Sequence, residues 1–121
     1  MKELQNELRT ICSPGRRVYY EEHEDVIFSA PHHFTVKKNN SKQSLFALAE
    51  FDFQKGLADE VGINGIVDED LLAIIACRLE HFQQGPFASN ENSLALSCIR
   101  EALEWMSRRV RARKRVEVGS A

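Results

Sequence analysis

The chain of 121 residues has no long apolar run and few cysteines, prolines and glycines. No stretch approaches the roughly 18 consecutive apolar residues of a membrane-spanning helix, so the sequence predicts no membrane span. The three cysteines, Cys12, Cys77 and Cys98, form no CxxC pair, which argues against a disulfide framework and against a zinc site. The first residues lack the apolar core of a secretory signal, and we expect a protein that stays in the cytoplasm.

Common motifs of nucleotide and acyl chemistry are also absent. The sequence has no Walker lysine loop, no GxGxxG and no GxSxG turn around an activated serine. Charge of one sign is not in excess, because the 28% of charged residues give a formal net charge of −2. This composition, with 43% hydrophobic residues, fits one compact domain over residues 1–121. A domain of this length needs neither a metal nor a disulfide to fold, and we expect no cofactor.

The first half of the chain is typical of β-strands. Short runs rich in β-branched or aromatic residues occur at 17–20, 26–28 and 33–36. Between residues 45 and 54, apolar side chains take all the odd positions, and Glu50, Asp52 and Gln54 take even ones. This period of two predicts a long strand with one buried face. The sequence therefore predicts an antiparallel sheet over about residues 16–55.

The second half changes to the period of an α-helix. Apolar residues recur three or four positions apart at Leu72, Ile75, Leu79 and Phe82. Asp68 precedes them as the predicted N-cap, and acidic residues after it complement the helix dipole. The helix is predicted to end near Gln84, because Gly85-Pro86 stops it.

A second helix follows the Gly-Pro turn. Ser89 or Asn90 is its predicted cap. Its apolar stripe consists of Leu96, Ile99, Leu103, Met106 and Val110. Two helices joined by a short turn predict an antiparallel hairpin over about residues 66–115. The predicted fold class is therefore α+β, an amino-terminal antiparallel β-sheet followed by a carboxyl-terminal helical hairpin.

No group of residues predicts catalysis. Glu22, His23, His32 and His33 can be imagined as metal ligands, but adjacent histidines on a strand point to opposite faces and do not easily bind one ion. We interpret them as structural or surface residues. The acidic residues of the first helix are interpreted as a charged face, and the sequence predicts no catalytic residue and no metal ligand.

The densest local charge is a basic run near the end of the chain, at residues 107–115. Arg109 and Arg113 lie four positions apart, so on a helix they share a face. Guanidinium groups bind phosphate oxygens through paired, charge-assisted hydrogen bonds. The run is either a phosphate-binding face or the solvated end of a helix, and the net charge of −2 disfavours RNA or DNA as the ligand.

A second candidate binding site lies around the predicted hairpin turn, which Phe82, Phe87 and Asn92 flank. An aromatic ring stacks on a nucleobase, and a carboxamide pairs with an adenine edge by donating and accepting hydrogen bonds at once. Spacing alone also fits Phe82 to the apolar stripe of the first helix, and Asn92 to a capping role. Both interpretations stay open from the sequence.

The motifs of the hairpin occur together in known families. Residues 82–88 read Phe-Gln-Gln-Gly-Pro-Phe-Ala, a Glu-Asn pair follows at 91–92, and arginines at 109, 111 and 113 complete the pattern. This combination resembles the helical hairpin of phage anti-defence sponges. One such family, directed against CBASS, is nearly all helix, whereas the first Thoeris anti-defence family places a β-sheet before the hairpin. Because of its sheet-like first half, the chain is similar to the Thoeris family.

The resemblance implies binding without catalysis. Such proteins bind and hold the cyclic ADP-ribose isomers that a TIR-domain enzyme makes on infection, and some also take up cyclic di- or trinucleotides. By this resemblance Phe82 stacks on the adenine, Asn92 reads its edge and Arg109 binds the diphosphate. We infer a phosphate-binding role for Arg113 as well, and Phe87 is either a second aromatic wall or part of the hairpin core.

Helix geometry predicts how these residues share one ligand. Arg109 follows Asn92 by 17 positions, which on a helix is about 25 Å and too far for one compact cyclic nucleotide. A shared site therefore needs Arg109 from another subunit. We predict a homo-oligomer, a dimer or an assembly of dimers, with Leu94, Cys98 and Trp105 at the contact. The expected place of action is the cytoplasm of the infected bacterial host.

Two other functions stay open from the sequence. An RNA- or DNA-binding phage regulator would use the same arginines. An enzyme that degrades the signal nucleotide would need an activated water or nucleophile, and no residue can be named for that role. Ligand recovered intact from the denatured protein would separate a sponge from an enzyme.

Overall fold

The computed structural model describes residues 1–22, 30–39 and 47–119, with the side chains of the last helix described as far as residue 113. The chain forms two compact units, Met1–Ile66 and Val67–Ala121. The first contains a β-sheet and the second a helical hairpin, so the predicted α+β class is confirmed. The single domain stays a prediction, and the predicted strand at 26–28 lies outside the described residues.

Within its described residues, the first unit is built around a four-stranded antiparallel sheet. Its strands follow the order of the chain: β1 (Lys2–Glu3), β2 (Arg16–Tyr20), β3 (His33–Lys38) and β4 (Ala47–Asp52). A short helix, α1 (Glu7–Cys12), lies between β1 and β2 in sequence. The strands predicted at 17–20 and 33–36 are confirmed. β4 covers residues 47–52 of the strand predicted at 45–53, but its side chains are half-buried or exposed, so the predicted buried face was wrong; residues 45 and 46 lie outside the described residues. β1 is too short to leave a period of two in the sequence.

One face of the sheet carries aromatic side chains. Phe34 of β3 lies opposite Tyr20 of β2 and opposite Phe51 of β4. The ring centroids of Tyr20 and Phe34 are 6.1 Å apart, and Phe53 meets Phe34 edge to face at 5.5 Å. Because side chains alternate along a strand, the residues between these point to the other face.

The other face carries a histidine–carboxylate pair. His33 lies opposite Asp52, with 2.7 Å between Nδ1 and Oδ1. The remaining ring nitrogen of His33 lies 3.4 Å from the hydroxyl oxygen of Thr35, which is buried. The hydrogen bond to the Asp52 carboxylate raises the pKa of His33 above its usual value. His33 therefore has a structural partner, as expected from the sequence.

Among the other residues considered as metal ligands, Glu22 has a charged partner. Glu22 forms an ion pair with Lys2 at 3.1 Å, and His23 lies outside the described residues. In the part of the chain that the structure describes, no group of three or more histidine, cysteine, aspartate or glutamate side chains could hold a metal ion. Nor is any described helix long and apolar enough to cross a membrane.

We expect the His33–Asp52 pair to stabilise the first unit at low pH. A raised pKa means that the folded state holds the proton more tightly, so the contribution is present below about pH 6.5 and is lost as the pH rises through the folded pKa. The Asp52→Asn variant should lower the melting temperature at pH 6 and change it little at pH 9. The loss should not exceed about 4 °C, because both side chains are partly exposed. Thermal melts at both pH values measure this, and an equal loss at both would contradict the assignment.

The segment after β4 is an ordered loop held by two side-chain amides. Gln54 donates from Nε2 to the carbonyl oxygen of Gly62 at 2.9 Å, and its Oε1 accepts the N–H of Asn64 at 3.0 Å. Asn64 in turn pairs with the N–H and the carbonyl oxygen of Lys55, both at 2.8 Å. The loop contains a short helix, α2 (Ala58–Val61), which is too short for a helical period to predict.

At the end of this loop Gly65 lies against the backbone that follows β4. A Cβ atom there would lie 2.5 Å from the carbonyl oxygen of Asp52 and 2.5 Å from the carbonyl carbon of Phe53. We expect Gly65→Ala to destabilise the first unit by about 1–3 kcal/mol, because backbone atoms do not move aside as a flexible side chain does. Gly85→Ala is the matched control, since its Cβ meets no atom within 4 Å. Urea unfolding followed by circular dichroism compares the two, and equal midpoints would contradict the close approach.

The second unit is an antiparallel helical hairpin. Its helices are α3 (Asp68–Phe82) and α4 (Asn90–Gly119). Ion pairs show the direction: Glu80 pairs with Arg100 at 3.0 Å near the turn, and Glu69 pairs with Arg109 at 3.5 Å near the start of α3. The predicted hairpin is therefore confirmed. α3 ends two residues before the predicted boundary.

The cap predicted for α3 was wrong. Val67 is the N-cap, and Asp68 is the first helical residue. The N–H of Val67 donates to Oδ2 of Asp70 at 3.0 Å, while the N–H of Asp70 donates to the carbonyl oxygen of Val67 at 3.0 Å. The capping carboxylate thus reaches back from inside the helix. At the start of α4, the predicted cap Ser89 is confirmed, because its hydroxyl oxygen accepts the N–H of Asn92 at 3.0 Å.

Few side chains of the hairpin are buried. Among the described residues, the buried apolar ones are Ala76 of α3 and Leu96 of α4, each 6% exposed. Two members of the predicted stripe of α3, Ile75 and Phe82, are exposed instead. The two helices therefore leave apolar surface that they do not cover themselves.

Candidate functional site

One side-chain amide holds the turn between α3 and α4. Gln83 donates from Nε2 to the carbonyl oxygen of Ser89 at 3.0 Å and accepts the N–H of Ser89 on Oε1 at 3.0 Å. Within the turn, the N–H of Gly85 donates to the carbonyl oxygen of Phe82 at 3.1 Å, and that of Ala88 donates to Gly85 at 3.2 Å. Because both backbone groups of Ser89 are paired, the two ends of the turn are tied together.

Two phenylalanine rings meet at this turn. The centroids of Phe82 and Phe87 are 6.4 Å apart, and the rings are inclined by 77°. Phe87 is 73% exposed and Phe82 is 37% exposed, so both rings offer surface to solvent. The guanidinium carbon of Arg78 lies 5.3 Å from the centroid of Phe82. Exposed rings beside a cation form a surface on which a nucleobase can stack.

The carboxamide of Asn92 is held beside these rings. Its Nδ2 donates to the carbonyl oxygen of Phe87 at 3.1 Å. Since one N–H of Nδ2 is committed to that carbonyl, the second N–H and Oδ1 are the donor and acceptor that the group can offer to a ligand. The hydroxyl of Ser89 is the group that caps the backbone N–H of Asn92, while the Asn92 side chain bonds the turn.

The two arginines predicted to bind the ligand lie at the other end of the hairpin. Nη2 of Arg109 lies 3.5 Å from Oε1 of Glu69, which is partly buried in the first turn of α3. Arg113 lies four residues further along α4 and is exposed. Between the turn and this end, Arg108 lies over the ring of Trp105, 4.7 Å from its centroid. The sharing of one helix face by Arg109 and Arg113 follows from the unbroken helix.

The structure brings Phe82, Phe87 and Asn92 together within one chain. It does not bring Arg109 or Arg113 to them, because α4 runs without a break and separates Arg109 from Asn92 by about 25 Å. The separation predicted from helix geometry is therefore confirmed. The neighbouring subunit that would bridge it stays a prediction.

Three residues beside the site carry weak or no signals in the sequence. Gln83 lies two residues before Gly85 of the Gly-Pro turn, and an amide at this place can reach across a short turn to the next helix. Arg78 is one helical turn before Phe82, where side chains meet. In the sequence, Glu69 is one of several acidic residues of a predicted charged face. Its ion pair with Arg109 is seen only where α4 packs against α3.

Fold and site together define a class: an α+β protein with a carboxyl-terminal two-helix hairpin that presents aromatic rings and an amide at its turn and arginines far from it. Residues 47–111 match the family model described as the hairpin domain of Acb2/Tad1. Over an alignment of 134 residues, the chain is also 33% identical to Thoeris anti-defense 1 of Bacillus phage SBSphiJ7, covering 94% of this chain and 93% of that protein. The chain belongs to the Acb2/Tad1 hairpin family.

Proposed function

We propose that this protein is a phage anti-defence sponge, which binds a cyclic ADP-ribose-type signalling nucleotide and holds it without cleaving it. The family membership and the name of the relative support the anti-defence role. The observation that carries the proposal is the exposed aromatic pair beside the held carboxamide of Asn92, because this combination fits a nucleobase. Acting in the cytoplasm of the infected bacterial host, the protein would keep the signal from the Thoeris effector.

The base of the proposed ligand is adenine. Its edge offers an amino donor next to a ring nitrogen acceptor, and the free Oδ1 and N–H of Asn92 complement this pair. The ring of Phe82 stacks on the base, and Phe87 forms a second wall inclined to it. Stacking and amide pairing bind a base without activating any of its bonds, which is why we propose binding and not turnover.

Arg109 and Arg113 bind the diphosphate in this proposal. Both guanidinium groups lie on one face of α4, and each presents the planar fork that suits phosphate oxygens. Arg109 is already oriented by its ion pair with Glu69. Because one chain holds these arginines away from its own turn, the proposed site combines the turn of one subunit with the arginines of another.

Exposed apolar residues support a homo-oligomer. Leu94 and Trp105, which are 61% and 60% exposed, lie with the exposed Cys98 along one face of α4. Large exposed apolar side chains on a small protein mark a contact surface. We propose that a second copy covers this face in a dimer, or in an assembly of dimers, whose two-fold symmetry would set the turn of each chain against the arginines of the other.

We expect light scattering at micromolar concentration to give the mass of a dimer or of a multiple of it. Trp105→Ala should shift the protein toward monomer, because a large aromatic anchor is removed from the contact. Ile63→Ala is the matched control, since Ile63 is exposed but lies in the first unit. A monomer that binds the ligand tightly would contradict a site shared between subunits.

Recovery of the ligand tests the function itself. The protein is incubated with purified cyclic ADP-ribose isomers, and in parallel with cyclic di- and trinucleotides, separated from free ligand by gel filtration and denatured by heat. Mass spectrometry should find the nucleotide intact and in near-stoichiometric amount for the parent, and reduced for Phe82→Ala. Release of linear ADP-ribose would identify an enzyme. If the protein retains no cyclic nucleotide but retains labelled RNA or DNA in a parallel incubation, it is a nucleic-acid-binding regulator.

A further inference from the structure

We propose that Gln83 is a positioning residue of the binding site, which fixes the orientation of the Asn92 carboxamide and thereby determines which base the site accepts. Gln83 contributes no ring, charge or free hydrogen-bonding pair to a ligand, and it acts through the backbone of Ser89. The inference rests on the proposed function, since it concerns the recognition of the base of a cyclic ADP-ribose-type nucleotide.

A continuous set of hydrogen bonds connects Gln83 to Asn92. The side-chain amide of Gln83 reaches across the turn and pairs with the carbonyl oxygen and with the N–H of Ser89, each at 3.0 Å. The hydroxyl oxygen of Ser89 accepts the N–H of Asn92, also at 3.0 Å. The carboxamide of Asn92 then returns to the turn by donating to the carbonyl oxygen of Phe87, two residues before Ser89. Gln83 therefore fixes the backbone of Ser89, whose hydroxyl holds the backbone of Asn92, and it closes the turn that contains the carbonyl oxygen of Phe87.

The orientation matters because a carboxamide offers two different patterns to a base. A half-turn about its last bond exchanges the donor and the acceptor. In this structure such a half-turn would set Oδ1 of Asn92 against the carbonyl oxygen of Phe87, replacing a hydrogen bond with two facing acceptors. While the turn is held, the side chain therefore presents the pattern that complements adenine. Hypoxanthine has a carbonyl oxygen in place of the amino group, so at that position it needs an N–H of the carboxamide where adenine needs its oxygen.

The neighbouring residue provides a matched control. Gln84 has the same side chain, lies in the same turn and is exposed. Within the described residues, its backbone N–H donates to the carbonyl oxygen of His81. Methionine is close to glutamine in length and has no amide. Gln83→Met therefore removes the two bonds to Ser89 while keeping the bulk of the side chain, and Gln84→Met makes the same change where no such bonds exist.

Calorimetry measures the base preference with two probes: a cyclic ADP-ribose isomer that the parent retains, and its analogue with hypoxanthine in place of adenine. The parent and Gln84→Met should favour the adenine probe by at least about five-fold. In Gln83→Met this ratio should fall toward one, because the carboxamide is free to turn. A merely structural role would weaken both probes alike, so an unchanged ratio in Gln83→Met would overturn the inference.

Two further measurements keep the test decisive. Without ligand, hydrogen exchange at the backbone amide of Asn92 should become at least about ten-fold faster in Gln83→Met than in Gln84→Met. If Gln83→Met does not fold, Gln83→Glu replaces it, because a carboxylate still accepts from Ser89 but cannot donate, and the ratio should again fall. A parent that binds no cyclic ADP-ribose isomer overturns the proposed function and this inference together, whereas a parent that binds and a variant with an unchanged ratio overturn this inference alone.

Discussion

Phe82→Ala is expected to weaken the capture of a cyclic ADP-ribose-type nucleotide by about 5- to 150-fold, because stacking on an aromatic ring contributes about 1–3 kcal/mol per base. The ring is positioned for this at the hairpin turn, where it is 37% exposed and meets Phe87 at 6.4 Å. Calorimetry on the folded variant measures the loss. Binding equal to that of the parent would show that the base does not stack at this turn.

Two substitutions at the same position separate stacking from packing. Phe82→Tyr keeps the ring and should bind within a few-fold of the parent. Phe82→Leu keeps apolar volume against Phe87 but has no ring face, so it should lose affinity as Phe82→Ala does. Urea midpoints must accompany these measurements, since removing a fully buried ring costs about 3–5 kcal/mol of stability. If Phe82→Leu binds as well as the parent, the ring serves the hairpin and not the ligand.

Arg109→Ala is expected to weaken binding by about 10- to 150-fold, because a charge-assisted hydrogen bond to a phosphate contributes about 1.5–3 kcal/mol. Arg111→Ala is the matched control, since Arg111 is exposed and points away from the face of Arg109. Glu69→Ala is the second control, because it breaks the ion pair of Arg109 but keeps the guanidinium. Equal losses for Arg109→Ala and Arg111→Ala would indicate diffuse attraction of an anion, as in RNA or DNA binding.

Mixing the two binding-deficient variants tests whether Phe82 and Arg109 of different subunits share a ligand. In a two-fold dimer of one Phe82→Ala chain and one Arg109→Ala chain, one site keeps both side chains and the other loses both. Random re-association makes half of the dimers mixed, so about a quarter of the parental binding capacity should return. Sites contained within one chain would recover nothing.

Periodicity explains why most elements could be predicted. The period of two at residues 45–53 gives β4, and the spacing of three and four gives α3 and α4, because one face of each element packs against a neighbour. β1 and α2 have too few residues to show a period. The cap of α3 was misassigned because an aspartate suits both the cap position and the third helical position, and only the backbone path shows that Asp70 is the one that reaches back to Val67.

The candidate binding site also has features that the sequence predicts and features that it does not. Helix spacing and the Gly-Pro turn predict that Phe82 and Asn92 approach each other and that Arg109 does not reach them. In the structure both contact Phe87, Phe82 through its ring and Asn92 through the carbonyl oxygen, and α4 runs unbroken from Asn92 to Arg109. The exposure of Phe82 does not follow from the sequence, since spacing assigns a residue to a stripe but does not show how far the partner helix covers it. The pairing of Arg109 with Glu69 depends on the packing of α4 against α3.

Three strands of the sheet, the two long helices and the candidate binding residues could be found from the sequence alone, because they depend on local periods and on the chemistry of single residues. The bonds of Gln83 to Ser89 and of Asn92 to the carbonyl oxygen of Phe87 are visible only in the folded hairpin. Hydrogen bonds across a turn require distances of about 3 Å between atoms several residues apart, and those distances follow from how the two helices pack and not from their periods.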